Sequence, residues 1–133
     1  GAHVLVVEDN EVTQQIVVEL LQQIGVSTDV ADNGQIGLDK VLSGQNRYDA
    51  VLMDMQMPVM DGLESTRKIR EHVTADRLPI IALTANAMSH ERRSCQDAGM
   101  NDYLAKPVRL EELTNRLEKW SLEKMKSLHS IIS

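Results

Sequence analysis

Aromatic side chains are nearly missing from this chain. Only 2% of its 133 residues are aromatic, and there is no Phe at all. A core must therefore be assembled from Val, Ile, Leu, Met and Ala, and no stacking platform for single-stranded nucleic acid is available. Basic residues are also short: 14 Lys and Arg stand against 20 Asp and Glu, a formal charge of -6. No stretch gathers enough of them to reverse that balance locally, which argues against nucleic acid as a partner. Cys95 is the only cysteine, so no internal disulfide can form and a reducing cytoplasm is the natural setting. Within "RRSCQDAG" it reads as a small, partly buried thiol on a helix. No apolar run approaches the ~20 residues of a membrane span, and no signal peptide is visible. The opening Gly1-Ala2 reads as a cloning scar or an excision point, the expectation being a piece of a longer protein.

What is present is an ordinary globular balance, with 42% hydrophobic and 26% charged residues, enough for one domain with a real core. "HVLVV" (His3 to Val7) is a short β-branched run of the kind buried on both faces of a parallel sheet. It stops at Glu8-Asp9-Asn10. A helix follows, with Ile16, Val17, Leu20, Leu21 and Ile24 on one face and Gly25 as its stop. "STDVA" (Ser27 to Ala31) is a weaker strand, "DNG" turns the chain, and Ile36 to Leu42 makes a short helix. "DAVLM" (Asp49 to Met53) is the third strand, and Leu63 to His72 the next helix. "IIAL" after Pro79 is the fourth strand, Ser89 to Ala98 a helix, and "DYLA" (Asp102 to Ala105) the fifth strand. A last helix starts near Arg109 and carries Leu110, Leu113, Leu117 and Trp120 inward. Five strand–helix repeats predict an α/β fold: a parallel sheet with helices on both faces. The unit runs from 3 to 120. Residues 121–133 extend the last helix or begin a linker, and their stripe of Met125, Leu128, Ile131 and Ile132 suits packing on a neighbouring molecule.

Open parallel sheets bind ligands beyond the carboxyl ends of their strands. That rule sorts the polar residues. Asp49 and Asp102 lie at the opposite, amino ends and read as solvated caps. Glu8 and Asp9 follow strand one, Asp54 ends strand three, Thr84 follows strand four and Lys106 follows strand five, so topology gathers them on one rim. Two carboxylates about 4 Å apart repel by about 4 kcal/mol at an effective dielectric near 20. Three together need a proton or a cation among them. Hard oxygen donors with no imidazole or thiolate beside them point to Mg²⁺. A divalent ion, an ammonium (Lys106) and a hydroxyl (Thr84) around one carboxylate suit phosphoryl transfer. A carboxylate can itself be the nucleophile. Asp54 fits that role, because the adjacent Glu8 and Asp9 are better placed to hold the metal.

"VLVVEDN", "VLMDMQMPVMDG", "IIALTA" and "DYLAKPV", in that order and spacing, resemble the receiver domain of two-component response regulators. The likeness spans Val4 to Trp120, and "ALTANAM" and "AGMNDYLAKPV" look most like receivers of hybrid sensor histidine kinases. The resemblance implies a flavodoxin-like, doubly wound (βα)5 fold with strand order 2-1-3-4-5. It implies that Asp54 is the phosphoacceptor and that Glu8, Asp9, Asp54 and the backbone carbonyl of Gln56 hold Mg²⁺. Thr84 and Lys106 contact the phosphoryl group, and Thr84 is coupled to a switch at Tyr103. Gln56 and Asn86 flank the site where the family tunes loss of the phosphoryl group. The Lys106-Pro107 bond is expected to be cis, and Pro58 and the Asp61-Gly62 turn to bend the following loop away. Met55 and Met57 read as core filler or part of a partner's docking surface, with filler expected for at least one of them. Asn101 stands where the family often has Asp.

Receivers of this kind catalyse their own phosphoryl transfer and loss, and within a hybrid kinase the whole protein is a kinase. The implied partner is a histidine-containing phosphotransfer domain or a kinase dimerisation domain. The chain itself is expected to be a monomer or weak dimer without direct membrane contact, including as the cytoplasmic part of a membrane-bound sensor. Two other classes compete. A phosphohydrolase with an aspartyl-phosphate intermediate, of the haloacid dehalogenase type, would carry DxD after strand one, where this chain has Glu8-Asp9. A pseudo-receiver that binds partners without taking up phosphate would not need all of Glu8, Asp9, Asp54, Thr84 and Lys106.

Overall fold

A computed structural model describes residues 2–45, 47–85 and 89–120. Strands and helices alternate in chain order: β1 (His3–Val7), α1 (Glu11–Gln23), β2 (Ser27–Ala31), α2 (Gly34–Leu42), β3 (Ala50–Asp54), α3 (Gly62–Arg70), β4 (Ile80–Thr84), α4 (Ser89–Ala98), β5 (Asp102–Ala105) and α5 (Leu110–Trp120). The strands form one parallel sheet in the order β2-β1-β3-β4-β5, as the resemblance implies. Asn86 and the stripe from Met125 to Ile132 lie outside the described residues.

Alternation along each strand divides the core in two. Val4, Val6, Leu52, Ile81, Leu83 and Leu104 face α1 and α5, where Val17, Leu21, Leu113 and Leu117 meet them. Leu5, Val7, Val51, Met53, Ile80 and Ala82 face the other layer, with Leu38, Ile69 and Cys95. Both sheet faces are therefore dry, which is why the strands read as unbroken apolar runs. Met55 and Met57 pack at the border of the second layer, so both act as filler. Ile16 does not join the core: it is 47% exposed. It lies about 100° around the helix from Val17, beyond the stripe that Val17, Leu20, Leu21 and Ile24 complete.

The starts of α1, α2 and α3 are set by side-chain caps. Asn10, Asn33 and Asp61 each accept the amide of the residue three further on, satisfying donors that the first turn leaves unpaired. The Asp61-Gly62 pair is thus a helix start and not the bend of its loop. The bend sits at Val59 (φ 71°), where the Met60 amide donates to the Pro58 carbonyl at 2.8 Å. A β-branched residue in the left-handed region is strained, and here it turns the loop outward next to Asp54. Gly62 is required for a different reason: a Cβ there would come within 2.1 Å of the Asp54 carbonyl oxygen.

Among the described residues, no helix is long and apolar enough to cross a membrane.

Candidate active site

The sheet register brings the rim together. Val7 is level with Met53, so the next residues, Glu8 and Asp54, emerge side by side where the strand order reverses. Thr84 is paired with Ala105, which puts Lys106 one step beyond it. Glu8, Asp9, Asp54, Gln56, Thr84 and Lys106 accordingly line a single cleft of ≈ 390 Å³.

Within it, one carboxylate oxygen from each of Glu8, Asp9 and Asp54 lies within 4.8 Å of the others. Lys106 Nζ sits 3.1 Å from Asp54 Oδ1 and 3.1 Å from Glu8 Oε2. Only the first contact has hydrogen-bond geometry. Glu8 Oε1 accepts the Asn10 amide at 3.2 Å, which leaves Oε2 as a buried oxygen with an ionic neighbour and no hydrogen bond. Burial first, and the Asp54 charge second, push the Glu8 carboxyl above its ordinary range despite Lys106. For Lys106, burial opposes the ammonium, but its hydrogen bond to Asp54 and the adjacent charges of Asp54 and Glu8 outweigh that and raise its pKa.

An orphaned buried oxygen, three converging carboxylates and no thiolate or imidazole in the cluster are what a hard divalent cation needs. Mg²⁺ fits this donor set. The Gln56 backbone N–H donates to Asp54 Oδ1 at 3.4 Å. The Lys106-Pro107 peptide is cis.

The sequence pattern of the response regulator receiver domain matches residues 4–118. The chain belongs to that family. This receiver is 40% identical over 121 residues to hybrid signal transduction histidine kinase L of Dictyostelium discoideum, covering 88% of this chain and 7% of that protein. It is 38% identical to two-component response regulator 24 of Arabidopsis thaliana, covering 86% and 81%. A crystal structure of the receiver domain of a Pseudomonas aeruginosa sensor histidine kinase, with magnesium coordinated in its active-site cleft, is 43% identical with a TM-score of 0.81, covering 91% and 98%. The receiver of a Saccharomyces cerevisiae response regulator, co-crystallised with a histidine phosphotransfer protein, is 30% identical with a TM-score of 0.82, covering 93% and 91%. The chain spans only 7% of the first hybrid kinase and 11% of the second, kinase K. It is a receiver domain of two-component systems.

Several side chains behave otherwise than their sequence positions suggest. Asp102 is not a solvated cap: Trp120 Nε1 donates to it at 2.8 Å, and Arg116 and Lys119 lie 3.4 and 3.8 Å away. A helix passing over the amino edge of the sheet supplies these partners, which no local pattern reveals. Asp49 accepts the His3 amide at 2.8 Å, pinning the β1 start to β3. Asn101 ties three segments, accepting from Arg70 at 2.8 Å and from the Ile80 amide at 2.9 Å while donating to the Ala75 carbonyl at 3.1 Å. An Asp there would lose the last bond. Cys95 is buried, and desolvation followed by the charge of Glu91 pushes its thiol up, so it is a packing residue.

Two residues of α4 that the sequence does not single out reach Thr84 and Tyr103. Thr84 Oγ1 donates to Glu91 Oε2 at 2.6 Å, and Arg92 donates to the Tyr103 hydroxyl at 3.2 Å. An acid in the first turn of a helix reads simply as a partner for the helix dipole. Nothing in the sequence shows that its carboxylate points back to strand β4.

Proposed function

We propose that Asp54 is the residue of this receiver that takes the phosphoryl group, from a phosphohistidine on a phosphotransfer or dimerisation domain. The observation that carries the assignment is the Lys106 ammonium held 3.1 Å from Asp54 Oδ1 beside Glu8 and Asp9. An Asp54 oxygen attacks phosphorus, the P–N bond to the imidazole breaks, and its electron pair leaves with the imidazole nitrogen. Glu8, Asp9, Asp54 and the Gln56 carbonyl would hold Mg²⁺, which would supply positive charge against the phosphoryl oxygens. Lys106 supplies a fixed positive charge to the same oxygens, and Thr84 a hydroxyl donor. Asp54 is only 5% exposed, so the donor must approach along the cleft.

Val12 and Ile16, one turn apart on α1 just past Asp9, are 67% and 47% exposed. An exposed apolar pair on α1, the helix whose Thr13 lines the cleft, supports docking of a helical phosphotransfer partner on that helix. The receiver unit spans 3–120 and acts as a monomer or weak dimer, in the cytoplasmic portion of a sensor kinase or as a separate regulator. Gln56 sits at the lip of the site and, with Asn86, tunes access of water to the acyl phosphate. Tyr103, held by Arg92 at the surface, is the switch residue that responds to phosphorylation.

The test is labelling from a phosphorylated phosphotransfer domain, with and without Mg²⁺. Labelling that depends on the metal and disappears in Asp54→Asn is expected. Undiminished labelling of that variant would sink the assignment.

A further inference from the structure

A hydroxyl group has one proton to donate. In this structure the Thr84 proton is directed at Glu91 Oε2, 2.6 Å away, from a side chain that is itself buried. While it stays there it is not available to a phosphoryl oxygen on Asp54. Glu91 also lines the same cleft as Glu8, Asp9 and Asp54, so a phosphoryl group arriving on Asp54 brings negative charge toward a fourth carboxylate. The next residue, Arg92, holds the other switch position: it donates to the Tyr103 hydroxyl at 3.2 Å, with its guanidinium 5.6 Å from the ring centroid. Consecutive residues in the first turns of α4 thus hold Thr84 and Tyr103 at once.

We propose that Glu91 is a positioning residue, whose carboxylate competes with the phosphoryl oxygens for the Thr84 hydroxyl and so holds the receiver in its unphosphorylated arrangement. Resting on the assignment of Asp54 as phosphoacceptor, this makes the loss of the Thr84–Glu91 bond the event that passes phosphorylation to α4. Helix α4 is then repelled by the new charge at Glu91 and released together with the Arg92 grip on Tyr103. A charge-assisted hydrogen bond of this length is strong enough to matter, since breaking one changes an equilibrium by about tenfold.

The experiment is titration of the 133-residue chain with beryllofluoride, a phosphoryl mimic, in saturating Mg²⁺. Wild type is compared with Glu91→Ala, Glu91→Gln, Thr84→Val and the Thr84→Val/Glu91→Ala pair. Glu91→Ala is expected to bind about tenfold tighter. Glu91→Gln falls between, because its amide oxygen still accepts but without charge, and being isosteric it carries the test if the alanine variant fails to fold. In the Thr84→Val background, removing Glu91 is expected to gain about threefold less than it does with Thr84 present, the difference being the pairwise contact and the remainder charge repulsion. Two results would overturn the proposal: no tightening in either Glu91 variant, or an equal gain with Thr84 absent, which is charge repulsion alone. A wild-type chain that binds Mg²⁺ but ignores beryllofluoride would overturn the phosphoacceptor assignment itself, and this inference with it.

Discussion

Replacing Asp54 by Asn should make the metal-free receiver more stable while abolishing its function. The magnitude follows from the cleft. Carboxylate oxygens of Glu8, Asp9 and Asp54 lie within 4.8 Å of one another, where two unit charges repel by about 3.5 kcal/mol at an effective dielectric of 20. Lys106, 3.1 Å from Asp54 Oδ1, returns about 5 kcal/mol on the same scale. Asp9 is exposed, so solvent screens much of its share. Attraction and repulsion at Asp54 therefore nearly cancel, and the desolvation of a carboxylate that is 5% exposed is left without compensation. An amide of the same shape escapes most of that cost. Asp54→Asn is expected to gain about 1–2 kcal/mol, or about 4 °C in Tm for each kcal/mol in a chain of this size. Thermal unfolding in EDTA reads the gain directly. Saturating Mg²⁺ should shrink or reverse it, because the ion stabilises the wild type by mass action and the variant less. If Asp54→Asn melts below the wild type in EDTA, Lys106 already satisfies the carboxylate and the argument for a cation-hungry cleft fails.

Two further outcomes test the frame around the site. Gly62→Ala would drive a Cβ to 2.1 Å from the Asp54 carbonyl, so the start of α3 must shift. A loss of about 1–3 kcal/mol in urea unfolding and a weaker Mg²⁺ affinity are expected, and an unchanged affinity would show that the β3–α3 loop does not position Asp54. Tyr48→Phe removes the hydroxyl that donates to Asp29 Oδ2 at 2.7 Å, the leading cause that holds the Asp29 carboxyl below its ordinary range, with His3 adding to it. A lowered carboxyl pKa contributes stability above the unfolded value near 3.9, and that contribution is lost as pH falls through the lower folded value. The wild type should exceed Tyr48→Phe by about 1 kcal/mol at pH 7, with the gap closing in urea titrations below that range. A gap that stays constant down to pH 2.5 would place the effect in packing alone.

Much of the fold was legible because it is written in local terms. Apolar runs ending in acids, the helical period and the stop at Gly25 are consequences of neighbours in the chain, and each element falls within a few residues of its expected place. The five rim residues were legible for a related reason: in a parallel sheet every strand's carboxyl end is at the same edge. The misreadings share a cause as well. Ile16 was assigned inward because the helical period allows it, and only the width of the packed stripe leaves it in solvent. Asp102 was read as a solvated cap because α5 lies many residues away, yet Trp120, Arg116 and Lys119 return to meet it.

The sequence by itself determined which residues are strands and helices, that five polar groups stand at strand ends, and that their chemistry calls for a hard cation. Tertiary structure alone decided which oxygens converge, that Glu8 Oε2 is left without a hydrogen bond, and that Glu91 receives the Thr84 hydroxyl. The division follows from the range of the forces. Propensity, capping and hydrophobic period act over a few residues and can be read along the chain. Hydrogen-bond choice among several acceptors depends on ångström-scale distances between segments that only the packed sheet brings together.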